Sequence, residues 1–299
     1  MSKSTTIKLK NKLKQELQVI KTIEVLKQIA VQEFQFMENQ RKEACRFTKD
    51  LESFFQFYRS RKVDGIGLFE SPSRVPAIVA VTSDEGFTGS LNRQIIDEAA
   101  KFCKTYPDAH VVAIGRRGAR QLIDIGIQVQ REFPGIELPL EHQQTLPLKN
   151  YLMREHLRGR IGMAEVIFAK CDSFTRQTLA VEELLPFSSL NLDAVPEDPR
   201  FEPGLVILEP EAKSIIEYTI GLWFGRKLYE IFWDSKLSEV AARAIELNER
   251  SEKLSKTNEK TRIRFFRAQH EVIDQGIREV FSGQFFAKKL KKGHALAHG

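Results

Sequence analysis

Helix breakers are missing from both ends of this chain. Of its 299 residues, 1–64 contain neither glycine nor proline, and neither do 226–275; the first glycine is Gly65, and all eleven prolines lie between Pro72 and Pro210. A glycine costs about 1 kcal/mol and a proline about 3 kcal/mol inside a helix, so such clean stretches predict long unbroken helices. Cysteine is also scarce. Cys45, Cys103 and Cys171 are odd in number and widely spaced, which encodes neither a disulfide framework nor a zinc knuckle and points to a reducing compartment. No apolar run approaches the ~18 residues of a membrane-crossing helix. The five lysines of Met1–Lys14 precede no apolar core, so no secretory signal is expected, and the absence of arginine there argues against a transit peptide. Charge of one sign does not dominate: the net charge is +6, which suits an acidic protein, a membrane surface or nucleic acid without choosing among them. A content of 42% hydrophobic and 29% charged residues excludes a disordered chain.

What is present supports two rods. Toward the N-terminus an apolar stripe runs Leu13, Leu17, Ile20, Ile23, Leu26, Ala30, Phe34, Met37, Ala44, Leu51 and Phe55, at spacings of three and four that suit a coiled-coil seam. Toward the C-terminus the stripe is Leu237, Val240, Ala244, Leu247, Ser251, Leu254, Asn258, Thr261, Phe265, Ala268 and Val272, small or polar in its middle. Two such helices most simply pair antiparallel; two separate amphipathic helices lying on a globular body are the plainer alternative. Between them stand the short buried runs 76–82, 109–115 and 164–170, with 178–185 as a fourth, alternating with amphipathic stretches. That alternation predicts βαβ units and a parallel sheet. The expected organisation is therefore a helix over 1–64, a small Rossmann-like α/β domain over 75–208, a second long helix over 209–283, and a basic, disordered tail over 284–299.

Candidate chemistry is sparse. After the first strand stands Ser83-Asp84-Glu85-Gly86-Phe87-Thr88-Gly89-Ser90-Leu91-Asn92. A glycine-bearing turn before a helix can cradle a phosphate on unpaired amides. The spacing here is G-x-x-G, however, without the lysine of a P-loop, which favours a structural turn with Asp84 or Ser90 as a cap. No serine sits in a G-x-S-x-G elbow. His294 and His298 are spaced for a metal but lie in the tail, and Glu182-Glu183 reads as a solvated pair. The basic run Arg250, Lys253, Lys256, Lys260, Arg262, Arg264 and Arg267 is either a solvated helix face or a docking face for an acidic partner. No catalytic, cofactor-binding or metal-binding residue is assigned.

Six stretches, in order, resemble the gamma subunit of rotary F-type ATP synthases. Ser83–Asn92 is similar to S-D-x-G-L-C/A-G-G/S-L-N, Ile114–Gly118 to I-G-x-K-G, Glu182–Pro186 to x-Q/E-L-L-P, and Glu209–Lys213 to E-P-D/S-P/A-x. Ser235–Asn248 is similar to S-E-x-A-A-R-M-x-A-M-x-x-A, and Ile273–Gly283 trails after it like I-T-x-E-L-x-E-I-x-x-G. The signature turn that this resemblance singles out comprises Ser83, Asp84, Gly86, Gly89, Leu91 and Asn92. The resemblance implies a non-catalytic rotor shaft of two paired helices. Its partners would be alpha and beta nucleotide-binding subunits, an epsilon subunit and a membrane ring of c subunits, with no cofactor, no nucleic acid and no membrane span of its own. It would sit peripherally on the cytoplasmic face of a bacterial inner membrane. The bearing residues it implies are Gln269, His270, Val272, Ile273, Asp274, Ile277, Glu279, Val280 and Phe281. Departures cluster there: Gln269, His270, Asp274 and Gly276 stand where relatives carry Arg, Gln, Thr and Glu. They suggest a divergent paralogue, and leave a scaffold of the same fold in a non-coupling complex as the alternative.

Overall fold

The computed structural model describes residues 3–59, 73–186 and 211–296, of which 3, 42–50, 52–59, 212 and 285–296 are described by backbone alone. The elements in chain order are α1 (Lys3–Arg59), β1 (Pro76–Val81), α2 (Leu91–Thr105), β2 (His110–Ile114), α3 (Arg116–Asp124), β3 (Arg131–Phe133), a 3-10 turn (His142–Thr145), α4 (Leu146–Leu157), β4 (Met163–Ser173), β5 (Arg176–Leu185) and α5 (Ala212–Leu296). The breaker-free stretch at the N-terminus thus forms a helix of 57 residues, and 226–275 lies inside one of 85 residues that runs on through the glycines at either side of it. Where sequence suggested a disordered tail from 284, α5 continues as helix to Leu296. Ala44, Phe55, Glu209, Pro210, His294, His298 and the lysines of the tail lie outside the residues with described side chains.

The chain divides into two compact units, Met1–Lys27 with Leu247–Gly299, and Gln28–Glu246. The second unit holds the sheet, ordered β3-β2-β1-β4-β5. The first four strands are parallel, joined by helical crossovers, but β5 pairs antiparallel with β4. The expected all-parallel sheet is corrected on this point. Only the turn between Ser173 and Arg176 separates β4 from β5, far too short for the crossover a parallel partner needs. β3, which the sequence reading missed, has three residues and no apolar pattern.

Both faces of the sheet are covered, which is why β1 reads as an unbroken apolar run. Its side chains alternate. Ile78 and Ala80 pack with Ile95, Ile96 and Ala99 of α2 and Ala119 and Leu122 of α3. Ala77, Val79 and Val81 belong to the larger core with Leu148 and Leu152 of α4, Trp223, Phe224, Leu228 and Trp233 of α5, and Ala30, Phe34 and Met37 of α1. Arg41 adds a polar tie, donating to the carbonyl of Cys171 at 3.0 Å and pairing with Asp234 at 2.7 Å. Burial pushes the Cys171 thiol up to about 11, so it is a packed, inert cysteine. Glu182, expected to be solvated, pairs with Lys227 of α5 at 2.9 Å.

Three histidines in this unit, His110, His142 and His156, are held below their ordinary value near 6.5 with burial as the largest cause. A base with a depressed folded pKa is protonated first in the unfolded chain. Stability is therefore complete above about 6.5 and falls as pH drops toward the folded values. Melting between about pH 7.5 and about pH 5.5 should show this unit losing on the order of 1 kcal/mol. The loss should shrink when His156, 1% exposed, is replaced by Gln.

In the other unit, α1 and α5 run antiparallel. Lys27 donates to Asn248 at 3.3 Å, Glu24 accepts from Ser251, and Glu16 accepts from Asn258 at 3.1 Å and from Thr261 at 3.4 Å. Moving toward the N-terminus on α1 moves toward the C-terminus on α5. On α5 every residue of the expected seam from Leu247 to Val272 is buried or half-buried. On α1 the expectation is corrected at two places. Leu17 and Leu26 are 48% and 41% exposed, while Glu16 and Lys27 take the inward positions. A strict heptad allows only alternating steps of three and four, and Leu13–Glu16–Ile20–Ile23–Lys27 keeps that alternation where the more apolar choice does not.

Candidate functional site

The signature turn leaves β1 at its carboxyl end, and four consecutive residues there each grip a different element. Thr82 donates its hydroxyl to the carbonyl of Ile114 on β2 at 2.6 Å. The amide of Ser83 donates to Asn92 Oδ1 at 3.0 Å, and Asn92 Nδ2 returns a bond to the Ser83 carbonyl at 2.9 Å, which fastens the turn to α2. Asp84 Oδ1 accepts from the amide of Arg117 at 3.1 Å, so it caps α3. Glu85 reaches α5, with Oε1 3.3 Å from Lys236 Nζ and Oε2 against Arg243 Nη2. The expected cap is thus half right: Asp84 caps a helix, but not the one that follows the turn. Ser90 sits at the N-cap of α2 without a capping bond and accepts from Gln94 Nε2 at 3.1 Å instead.

The Ile114–Gly118 stretch closes onto the same place. Gly115 has φ 94°, a left-handed conformation that favours glycine. A Cβ on Gly118 would overlap the side chain of Thr82. The glycines of this motif therefore let α3 press against the end of β1. Phe87 holds φ 64° with its ring 43% exposed, and Gly89 follows at φ 56°.

The third motif completes the junction. Ser238 donates to the Ala169 carbonyl of β4 at 3.1 Å. Glu239 bridges Lys236 at 2.9 Å and Arg243, and Glu33 of α1 lies 3.8 Å from Arg243. Lys236 and Glu239 have side chains only 3% and 6% exposed. In a doubly wound sheet this position, outside the carboxyl ends of β1 and β4 where the strand order reverses, is the usual ligand crevice. Here α5 occupies it with fixed ion pairs. An adjoining cleft of about 380 Å³ is walled by Asp84, Arg116, Arg117, Arg120, Pro134, Gly135 and Glu137. One of the α3 amides a phosphate would seek there, that of Arg117, is already taken by Asp84. Among the described residues no set of three or more metal-ligating side chains gathers. The sequence reading missed Glu85, Lys236 and Glu33; Glu85 is the variable position of its motif, and its relevance depends on a partner 151 residues away.

The expected bearing residues lie in the coiled-coil unit. Val272 is half-buried in the seam, and Gln269, His270, Ile273, Asp274, Ile277, Glu279, Val280 and Phe281 are exposed. Ile273, Ile277, Val280 and Phe281, exposed by 49–68%, share one side of the helix. The basic run from Arg250 to Arg267 is exposed throughout, with Lys253 paired to Glu249 and Arg262 to Glu259.

A family model for ATP synthase matches residues 5–285. The chain belongs to the ATP synthase family. Its relatives there include the ATP synthase gamma chain of Mycoplasmopsis synoviae, 24% identical over 207 residues that cover 69% of this chain and 71% of that one. The gamma chain of Rhodopirellula baltica is 26% identical over 212 residues, covering 69% and 72%. Among solved structures, a chain of the Euglena gracilis mitochondrial ATP synthase in the OSCP/F1/c-ring assembly aligns with a TM-score of 0.66 at 11% identity, over 97% of both chains. One from the Tetrahymena thermophila mitochondrial ATP synthase central stalk and c-ring has a TM-score of 0.61 at 16% identity, over 77% of this chain and 99% of that one. At these identities the likeness concerns the fold alone. Within the ATP synthase family, this is the gamma-type architecture: an N-terminal and a C-terminal helix, with a small mixed α/β sheet domain between them in the sequence.

Proposed function

We propose that this chain is the non-catalytic central-stalk subunit of an F-type ATP synthase or ATPase, carrying rotation between an ion-translocating ring and a hexamer of nucleotide-binding subunits. The observation that carries it is the antiparallel pairing of residues 13–27 of α1 with residues 248–261 of α5, within a chain that matches its family from residue 5 to residue 285. A shaft must resist bending more than it must bind anything, and paired helices supply that. In this reading the exposed stripe Ile273, Ile277, Val280 and Phe281, with Gln269, His270, Asp274 and Glu279 beside it, runs in the bearing made by the alpha and beta subunits. The sheet domain meets the epsilon subunit and the c ring on the cytoplasmic face of a bacterial inner membrane. No helix among the described residues is long and apolar enough to cross a membrane.

The test is what a tagged copy brings with it. Recovery of a nucleotide-binding hexamer and a ring subunit in stoichiometric amounts is expected, and recovery of this chain alone under mild conditions contradicts the reading. A scaffold of the same fold remains the second reading, favoured by Gly276 inside α5, where a Cβ would meet nothing within 4 Å. It would bring down the same partners without supporting ATP-driven ion pumping.

A further inference from the structure

We propose that the arginine-walled cleft beside α3 is a ligand site of the sheet domain, taking a nucleoside di- or triphosphate through its phosphates. Arg116, Arg117 and Arg120 line it, all three exposed. Among the described residues none of the three guanidinium groups has an ion pair or a hydrogen bond. Two carboxylates share the wall and neutralise none of them: Asp84 Oδ1 is spent on the Arg117 amide at 3.1 Å, and Glu137 pairs with no arginine.

The cations oppose the helix that carries them. The first turn of a helix favours carboxylates, since its free amides are already positive, and α3 has no acidic residue there. Arg116 and Arg120, four residues apart, repel one another as well. On an ordinary solvated face such residues find acidic neighbours, as Lys253 finds Glu249 and Arg262 finds Glu259 on α5. Local choices that work against the fold, with no compensation inside the chain, mark places kept for function. The missing compensation here is an anion, and adjacent phosphates suit several guanidinium groups because each can accept two parallel hydrogen bonds.

Size and place agree with a nucleotide. The charged cleft holds about 380 Å³, and a second chamber of about 250 Å³ shares its Pro134, Gly135 and Glu137 wall. That chamber is chiefly apolar, bounded by Ile114, Phe133, Pro147, Leu148 and Phe232. Small-molecule sites span about 300–1,000 Å³ and combine an apolar lining with a few placed charges. A bare polyphosphate would use the first chamber alone, whereas a nucleotide has an aromatic base for the second. Both chambers lie where open α/β sheets receive ligands, outside the carboxyl ends of parallel strands: β2 ends at Ile114 and β3 at Phe133. The ion pairs of α5 fill the crevice at β1 and β4, and leave this one open.

The experiment is equilibrium dialysis of the free full-length chain at about 0.1 M salt, where long-range attraction between exposed charges is largely screened. The probes are ADP, ATP, tripolyphosphate and an oligoglutamate peptide. The native chain is compared with Arg116→Gln/Arg120→Gln and with Arg262→Gln/Arg264→Gln, which removes as much charge from the basic face of α5. Saturable binding of ADP or ATP with a Kd below about 1 mM is expected, weakened about tenfold or more by the first pair of substitutions and less than about twofold by the second. Tripolyphosphate should bind more weakly than ATP. Without ligand, Arg116→Gln/Arg120→Gln should melt no lower than native, since it relieves repulsion and breaks no contact. Absence of saturable nucleotide binding overturns the proposal, as does an equal loss in both variants. Tripolyphosphate binding as tightly as ATP overturns the role of the apolar chamber and with it the nucleotide, and oligoglutamate binding more tightly than ATP assigns the cleft to an acidic protein segment instead. The stalk reading does not enter this test and stands or falls separately.

Discussion

Replacing Ile273, Ile277 and Val280 together by Gln should lower the coupled activity of the assembled complex at least tenfold while leaving the free chain folded. These side chains are 50%, 49% and 61% exposed, so their removal opens no cavity within the chain. Burying one large aliphatic side chain is worth about 1.5–3 kcal/mol, and tenfold corresponds to about 1.4 kcal/mol, so loss of even one fully buried contact suffices. Glutamine matches isoleucine or betters it in helix propensity, which keeps α5 intact. The measurement pairs ATP-driven pumping with helical content of the free chain. Undiminished pumping would remove the bearing role from this stripe.

The second large effect concerns the polar seam. Glu16 is 9% exposed and accepts from Asn258 and Thr261. Glu16→Leu alone should leave Asn258 with only the Leu13 carbonyl at 3.4 Å and Thr261 with only the Thr257 carbonyl at 3.1 Å, and cost about 1 kcal/mol. Glu16→Leu with Asn258→Leu and Thr261→Val should instead stabilise the pair by about 1–4 kcal/mol, because well-packed apolar groups commonly outperform buried ionic ones. Hydrogen exchange at the amides of residues 10–25 reads this locally, without requiring the whole chain to unfold at once. Faster exchange in the single variant and slower in the triple is the expected result. Glu24 adds a pH dependence of the same sign as the histidines but of different origin. Hydrogen bonds from Lys27, then from Ser251, hold its carboxyl below the ordinary 4.5, so its contribution is present above that value and lost as pH falls below it.

These polar contacts show where sequence is legible and where it is not. The α5 seam could be read residue by residue, since its positions repeat at heptad spacing whatever their chemistry, Ser251 and Asn258 included. The α1 seam could not, because Leu17 and Leu26 are apolar and near the right place, while Glu16 and Lys27 become inward residues only against the hydroxyls and amides of α5. Long buried strands β1, β2 and β4 were plain as apolar runs; β3 carries no such signal, and the direction of β5 was encoded in the length of a turn. The signature turn was visible as a turn, and its phosphate reading was disfavoured by the spacing of Gly86 and Gly89. Its true partners were hidden because Thr82, Ser83, Asp84 and Glu85 spend themselves on elements spread from Asn92 to Arg243.

The stalk reading is tested most directly by watching the chain turn. A probe attached to an exposed position of α2, such as Lys104, in complex immobilised through its hexamer, should rotate continuously in one direction while ATP is hydrolysed and stop when ATP is exhausted. A probe that stays fixed while the same molecules hydrolyse ATP would contradict the account.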